Sequence, residues 1–280
     1  MKKVRLDQLV FDLGFTESRE RAKTTIMSGH VFVNGQRVDK PGTSVDPAAK
    51  IELHGEPLPF VSRGGYKLDK ALRVFPVDPA GKVCLDCGAS TGGFTDVLLQ
   101  HGAKKVYAVD VGYGQLAWKL RTNERVVTLE RTNLRYVTEE QIPEPIELAV
   151  MDVSFISIRL VIPAVKALLK PDADFICLIK PQFEAGREEV GKKGVVRDSA
   201  VHERVIREIL DFVPEAGLTA VGLDFSPIKG PEGNIEYLCH LKNRAGDMKN
   251  FDISSLVASS HQTLEVDIIV LCSFICRIFF

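Results

Sequence analysis

Apolar positions in the first 60 residues run first at helical and then at strand spacing. Leu6, Leu9, Val10 and Leu13 recur at i, i+3, i+4 and i+7, which predicts one helix closed by Gly14. Thr16 is placed to cap a second helix that runs through Ala22 and Ile26 to Gly29. His30 to Val33, Asn34-Gly35 and Gln36 to Val38 then predict strand, tight turn and strand, since Asn-Gly tolerates the left-handed backbone of such a turn. Pro41-Gly42 interrupts the chain, and Lys50 to Leu53 supplies a third strand. Residues 1–60 therefore read as a small α+β domain, and residues 61–79 as the connection that follows it.

From residue 80 the rhythm changes to short apolar runs alternating with helical segments. The runs are Val83 to Leu85, Lys105 to Val109, Val126 to Leu129, Glu147 to Met151, Phe175 to Ile179, Leu218 to Phe225 and Ile235 to Leu241. Helices are expected through Val97 to Leu99 and from Ile162 to Leu169. Strands apolar on both sides need cover on both faces, which predicts an α/β fold with a doubly wound, mainly parallel sheet over residues 80–245. Residues 246–280 form a C-terminal extension that ends in an apolar tail, Ile268 to Phe280, carrying Arg277. A spanning helix needs about 20 apolar residues. The tail is too short for that and reads as a buried terminal strand or helix, with no function assigned.

Composition adds exclusions. With 45% hydrophobic and 26% charged residues, the chain is neither disordered nor collagen-like. Met1-Lys2-Lys3 is followed by Arg5, Asp7, Gln8 and Asp12 instead of an apolar run, so no signal peptide is predicted. The six scattered cysteines read as free, buried thiols of a cytoplasmic protein. Cys84 and Cys87 have the spacing of a redox or zinc pair, but no second pair completes a site, and no metal is expected. The net charge of −1 hides an asymmetry: residues 1–75 hold 13 basic and 9 acidic side chains, and the remainder 23 and 28. Near-neutrality therefore leaves room for a basic nucleic-acid-docking module on an acidic domain.

In doubly wound sheets ligands bind beyond the C-terminal ends of the strands. Those positions hold Asp86 to Phe94 after the first strand, Asp110 after the second, Asp152 after the fourth and Lys180 after the fifth. Glu236 falls inside the seventh. Ionisable groups bordering apolar strands are costly unless paired or used. The turn through Gly88, Ala89, Ser90, Gly92, Gly93 and Phe94 lets the backbone approach a ligand, and the helix it opens can hold an anion. It departs from G-x-G-x-x-G at Ser90, so taken alone it also fits an ordinary turn. Asp110 offers a carboxylate suited to a ribose diol, and the joint placement favours a nucleotide-like ligand.

Five stretches carry a family resemblance: Ser62 to Leu68, Asp86 to Thr95, Asp152 to Ser157, Lys180 to Glu184, and Gly233 to Tyr237. The central part resembles the FtsJ-like class I S-adenosylmethionine-dependent methyltransferases, which implies a seven-stranded Rossmann-like sheet. Residues 3–264 together resemble the TlyA family of bacterial ribosomal-RNA 2′-O-methyltransferases, often labelled haemolysins. The tail beyond Leu264 departs from the family's usual ending.

The resemblance implies S-adenosylmethionine as cofactor, bound by Asp86, Gly88, Ala89, Ser90, Gly92, Gly93, Phe94 and Asp110. It also implies a Lys-Asp-Lys-Glu tetrad at Lys67, Asp152, Lys180 and Glu236. A ribose hydroxyl must lose its proton as the methyl arrives, and a lysine accepts that proton only when neutral. The expected roles are Lys180 as general base and Asp152 and Glu236 as its positioning groups. Lys67 would ease deprotonation of that amine or steer the substrate. Amine methylation fits less well, because Asp152-Val153-Ser154-Phe155 replaces the usual Pro-Pro-aromatic clamp. Carbon methylation fits less well too, because Cys87 lies inside the cofactor turn.

Residues 1–60 resemble the alpha-L RNA-binding domain named for a small-subunit ribosomal protein, on Arg5 to Asp7, Ser18 to Lys23, Gly29 to Gly35 and Lys40 to Gly42. Arg19 and Lys23 share a helix face, and with Arg5 they would contact phosphates and read RNA by shape. Two cations on a helix face are ordinarily just solvated, so this role comes from the resemblance. Lys192 and Lys193 lie in the long stretch Pro181 to Arg197, which fits either a mobile lid on RNA phosphate or a solvated charged loop. The expected partner is structured ribosomal RNA or a ribosomal subunit, with cytidine as the methylated nucleoside and no stable membrane association. Three alternatives compete. A membrane-lytic protein has no spanning segment or secretion signal behind it, and a pseudouridine synthase would need another setting than Gly65-Tyr66-Lys67-Leu68-Asp69. A non-catalytic cofactor- and RNA-binding protein is separated by assaying Lys180→Ala.

Overall fold

The computed structural model describes residues 3–16, 18–54 and 58–276. The N-terminal domain holds strand β1 (Val4–Arg5), helices α1 (Leu6–Asp12) and α2 (Arg19–Met27), and strands β2 (Val31–Val33), β3 (Gln36–Arg37), β4 (Ser44–Val45) and β5 (Ile51–Leu53). Strands β3, β2 and β5 form one antiparallel sheet, and β1 pairs with β4. Leu6, Leu9 and Val10 of α1 and Ala22 and Ile26 of α2 pack on Val31, Val45 and Ile51 as one small core. Helix α2 is capped by Ser18, whose Oγ accepts from Arg21 N at 3.1 Å, and not by Thr16. The helix starts at Arg19, so only the hydroxyl directly before it reaches the third amide.

The second domain is a seven-stranded Rossmann-like methyltransferase sheet in the order β11-β12-β10-β9-β6-β7-β8. Its strands are β6 (Val83–Cys87), β7 (Lys105–Val109), β8 (Val126–Leu129), β9 (Ile146–Met151), β10 (Leu169–Ile179), β11 (Thr219–Phe225) and β12 (Tyr237–Lys242). Only β12 runs against its neighbours, so the sheet is mixed. Glu236 precedes β12 instead of lying within it. The helices are α3 (Gly65–Val74), α4 (Gly93–Gln100), α5 (Trp118–Arg121), α6 (Ile162–Ala167), α7 (Pro181–Glu184), α8 (Ser199–Glu215) and α9 (Ile253–Cys276).

Alternation along each strand divides the core between two faces. Leu148 and Val150 of β9 join α3 and α4 on one face, while Ala149 and Met151 join α6, α8 and α9 on the other. Cys84 and Cys87 are three apart in β6, so they lie on opposite faces and cannot share a metal or a disulfide. Burial raises both thiols, Cys84 to about 12. Residues 61–79 are more than a connection. Val61, Leu68, Ala71, Phe75 and Val77 are built into the sheet's core, and the first turn of α3 carries Lys67. Arg21 of the N-terminal domain donates to the carbonyls of Leu58 and Phe60 and so ties α2 to this segment. Helix α9 packs Ile253, Val257 and Leu264 on the sheet and continues to Cys276; residues 277–280 of the apolar tail lie outside the described residues. Among the described residues no helix is long and apolar enough to cross a membrane.

Candidate active site

Strand order reverses between β6 and β9, and the ends of these strands frame a cleft of about 430 Å³. Gly88, Ser90, Asp110, Gln115, Asn133 and Asp152 supply its polar wall, and Val111, Val153, Phe155 and Ile156 much of the apolar one. Gly88 has φ +86, and a Cβ there would meet the Asp152 carbonyl at 2.8 Å. That close approach is what lets Asp152 N donate to Cys87 O at 3.0 Å and closes the cleft floor. Asp110 accepts from Ser90 N at 2.8 Å and from Gly112 N at 2.6 Å, which fixes its carboxylate at the cleft. Each of its oxygens retains a lone pair for a further donor.

The other residues of the glycine turn stand elsewhere. Ala89, Gly92, Gly93 and Phe94 do not line the cleft. Asp86 is fully buried beneath the turn, where its Oδ2 accepts from Thr95 N at 2.9 Å and from Thr95 Oγ1 at 2.6 Å. The anion at the start of α4 is therefore the protein's own carboxylate. Burial pushes Asp86 up to about 7, against the pull of the Thr95 hydrogen bonds.

Beside the cleft, four ionisable side chains meet. Asp152 directly follows β9 and Lys180 directly follows β10, its parallel neighbour. Because β12 is antiparallel to β10 with Tyr237 opposite Ile179, Glu236 arrives at the same edge. Lys67 reaches the group from α3. Lys180 Nζ lies 2.5 Å from Asp152 Oδ1 and donates to Ser154 Oγ at 3.0 Å. Lys67 Nζ lies 3.0 Å from Asp152 Oδ2 and 2.7 Å from Glu236 Oε2. Both lysines are buried, at 7% side-chain exposure each, so two positive and two negative groups neutralise one another.

Burial pulls the Lys67 pKa down, but Asp152 and Glu236 outweigh it, and the net shift is upward. Lys67 is thus held charged between two carboxylates. Burial likewise works to raise Asp152, but the two lysines prevail and lower it. Ser154 and Gln182, whose Nε2 lies 3.4 Å from Glu236 Oε1, join the group without having been singled out as site residues. As uncharged residues, they offered only their closeness in sequence to Asp152 and Lys180.

Of the expected RNA-facing cations, Arg5 and Arg19 meet at one side chain. Arg5 and Arg19 both bind the buried Asp7, at 2.9 and 3.1 Å, with their outer faces exposed. Burial raises Asp7, yet the Arg5 and Arg19 hydrogen bonds hold it at about 2. Lys23 stands 3.9 Å from Glu20, and Lys192 and Lys193 are exposed. The stretch Pro181 to Arg197 is anchored: Asn234 Nδ2 donates to Gly194 O at 2.8 Å, and Val196 N donates to Asn234 Oδ1 at 3.0 Å.

The FtsJ-like methyltransferase family model matches residues 60–243, and the S4 domain model matches residues 4–51. The chain is 50% identical to YqxC of Bacillus subtilis over 94% of its own length and 96% of the relative's. It is 44% identical to the 16S/23S rRNA (cytidine-2′-O)-methyltransferase TlyA of Mycobacterium tuberculosis, over 87% of this chain and 91% of that one. A solved hemolysin-named structure from Streptococcus thermophilus covers 95% of this chain and 98% of its own, at 45% identity and a TM-score of 0.76.

Proposed function

The chain belongs to the TlyA family, an S4 RNA-binding domain joined to an FtsJ-like methyltransferase, and on that premise we propose that it methylates a ribose 2′-hydroxyl of ribosomal RNA, at a cytidine, with S-adenosylmethionine as donor. The observation that carries this reading is Lys180 Nζ, held by Asp152 and Ser154 at the edge of the cleft. The cleft suits the donor. Gly88 leaves room where a Cβ would intrude, and Asp110 presents a fixed carboxylate to a ribose diol. When bound, S-adenosylmethionine supplies an electrophilic methyl on a sulfonium, so the protein's contribution is orientation and removal of one proton.

Lys180 takes that proton in its neutral form. Asp152 aims the amine and bridges it to Lys67, whose own charge Glu236 balances. Lys67 therefore acts as a fixed counter-charge that keeps both carboxylates in place. Removal of the Lys180 proton leaves this buried network with one excess negative charge, and taking up the ribose proton restores its neutrality.

Substituting Gly88→Ala is expected to weaken S-adenosylmethionine binding about tenfold in calorimetry, because its Cβ would meet the Asp152 carbonyl at 2.8 Å and displace the cleft floor. Lys192→Ala with Lys193→Ala is expected to weaken binding to ribosomal RNA severalfold and to flatten its salt dependence, while donor affinity stays unchanged. The reading itself is tested by incubating unmodified ribosomal subunits with labelled donor and either wild type or Lys180→Ala. Transfer by the wild type alone is expected. Transfer that survives the substitution removes Lys180 from the mechanism.

A further inference from the structure

Glu184 is buried beneath the site, and nothing in the proton-transfer scheme uses it. Its Oε1 accepts from Ile158 N at 2.8 Å and its Oε2 from Ser157 Oγ at 2.6 Å, with Arg159 Nε 3.6 Å away. These donors belong to the loop that follows β9, whereas Glu184 ends α7, which starts immediately after Lys180. Two strand-end loops are therefore joined at both ends. Lys180 meets Asp152 and Ser154 at one end, and Glu184 meets Ser157 and Ile158 at the other. Between them the rings of Phe155 and Phe183 lie 5.1 Å apart.

The loop needs this restraint. Phe155 has φ +64, a left-handed conformation that bulky side chains rarely adopt, and its side chain is 91% exposed. Neighbouring packing cannot impose that backbone on an exposed residue, so the restraint must come from hydrogen bonds to the chain around it. Resting on the methyltransferase reading above, we infer that Glu184 is a positioning residue: its carboxylate latches the loop from Asp152 to Ile158 onto the segment carrying Lys180 and so sets the placement of the base. Burial raises the pKa of Glu184 even against these donors. A glutamine would accept from Ile158 N and donate to Ser157 Oγ.

The test uses the full chain, ribosomal subunits lacking the modification and labelled donor. Glu184→Ala is expected to lower kcat about thirtyfold with KM for the subunits within about twofold, because an ångström of misplacement is costly to transfer. Glu184→Gln recovers kcat to within about threefold of wild type, and Ser157→Ala loses about fivefold. Circular dichroism melts identify variants folded at the assay temperature. If Glu184→Ala does not fold, Ser157→Ala decides: lower kcat at native melting supports the latch, and unchanged kcat overturns it. Wild-type kcat in a folded Glu184→Ala, or a glutamine as impaired as the alanine, also overturns it. A wild-type chain without methyl transfer overturns the methyltransferase reading and this inference together.

Discussion

Replacing Lys180 by arginine is expected to lower kcat for methyl transfer about 10³-fold, as much as replacing it by alanine. Arginine retains the positive charge and can still pair with Asp152, but it does not deprotonate in proteins. A lysine whose task were to hold RNA phosphate would be largely rescued by arginine. A lysine that accepts the ribose proton would not be rescued. Donor binding is expected to stay within about twofold in both variants, since Lys180 does not line the cleft. Single-turnover rates with saturating donor and subunits separate the two roles. Partial recovery by arginine would move Lys180 from base to phosphate ligand.

Asp152→Asn is expected to act on both activity and stability. The carboxylate lies between Lys180 and Lys67, and removing its charge leaves two buried ammonium groups against Glu236 alone. Losing one partner of a buried ion pair costs about 3–5 kcal/mol, and the lower end applies because the Asp152 side chain keeps 18% exposure. Transfer should fall at least about 10²-fold, because the amine loses the group that aims it.

The pH dependence carries a sign. Burial works to raise the Asp152 pKa, but Lys67 and Lys180 lower it below its unfolded value of about 3.9. Its stabilising contribution is therefore complete above that value and fades as pH falls through it towards the folded-state pKa. Urea melts of wild type and Asp152→Asn should differ fully at pH 7 and converge below about pH 4. A gap that does not narrow at all as pH falls below about 4 would show that shape, and not charge, sets the difference.

Much of this site was legible because sheet strands advertise their ends. Asp152 and Lys180 stand directly behind apolar runs, so burial and adjacency follow once the sheet is parallel. Glu236 was harder. Its approach from the same edge depends on β12 being antiparallel, which apolar periodicity does not encode. Gly64-Gly65 reads as a break in the chain, yet Leu68, Ala71 and Phe75 behind it carry helical spacing and are buried. That spacing is the signal that Lys67 rides on a packed helix and not on a linker. The glycine turn misleads in another way. Asp86 belongs to the motif, but as a buried position within β6 it braces α4 and does not line the cleft. Cations for RNA are least legible, because Arg5 and Arg19 serve an internal partner, Asp7, whose burial only tertiary packing fixes.

The central claim is ribose-oxygen methylation, and locating the transferred methyl tests it most directly. Ribosomal RNA from unmodified subunits, treated with wild-type chain and labelled donor, would be digested to nucleosides and analysed by mass spectrometry. The proposed function predicts label in a 2′-O-methylated nucleoside, cytidine by similarity to the relatives, absent when Lys180→Ala replaces the wild type. Label on a nucleobase, or the same label with Lys180→Ala, would contradict the account.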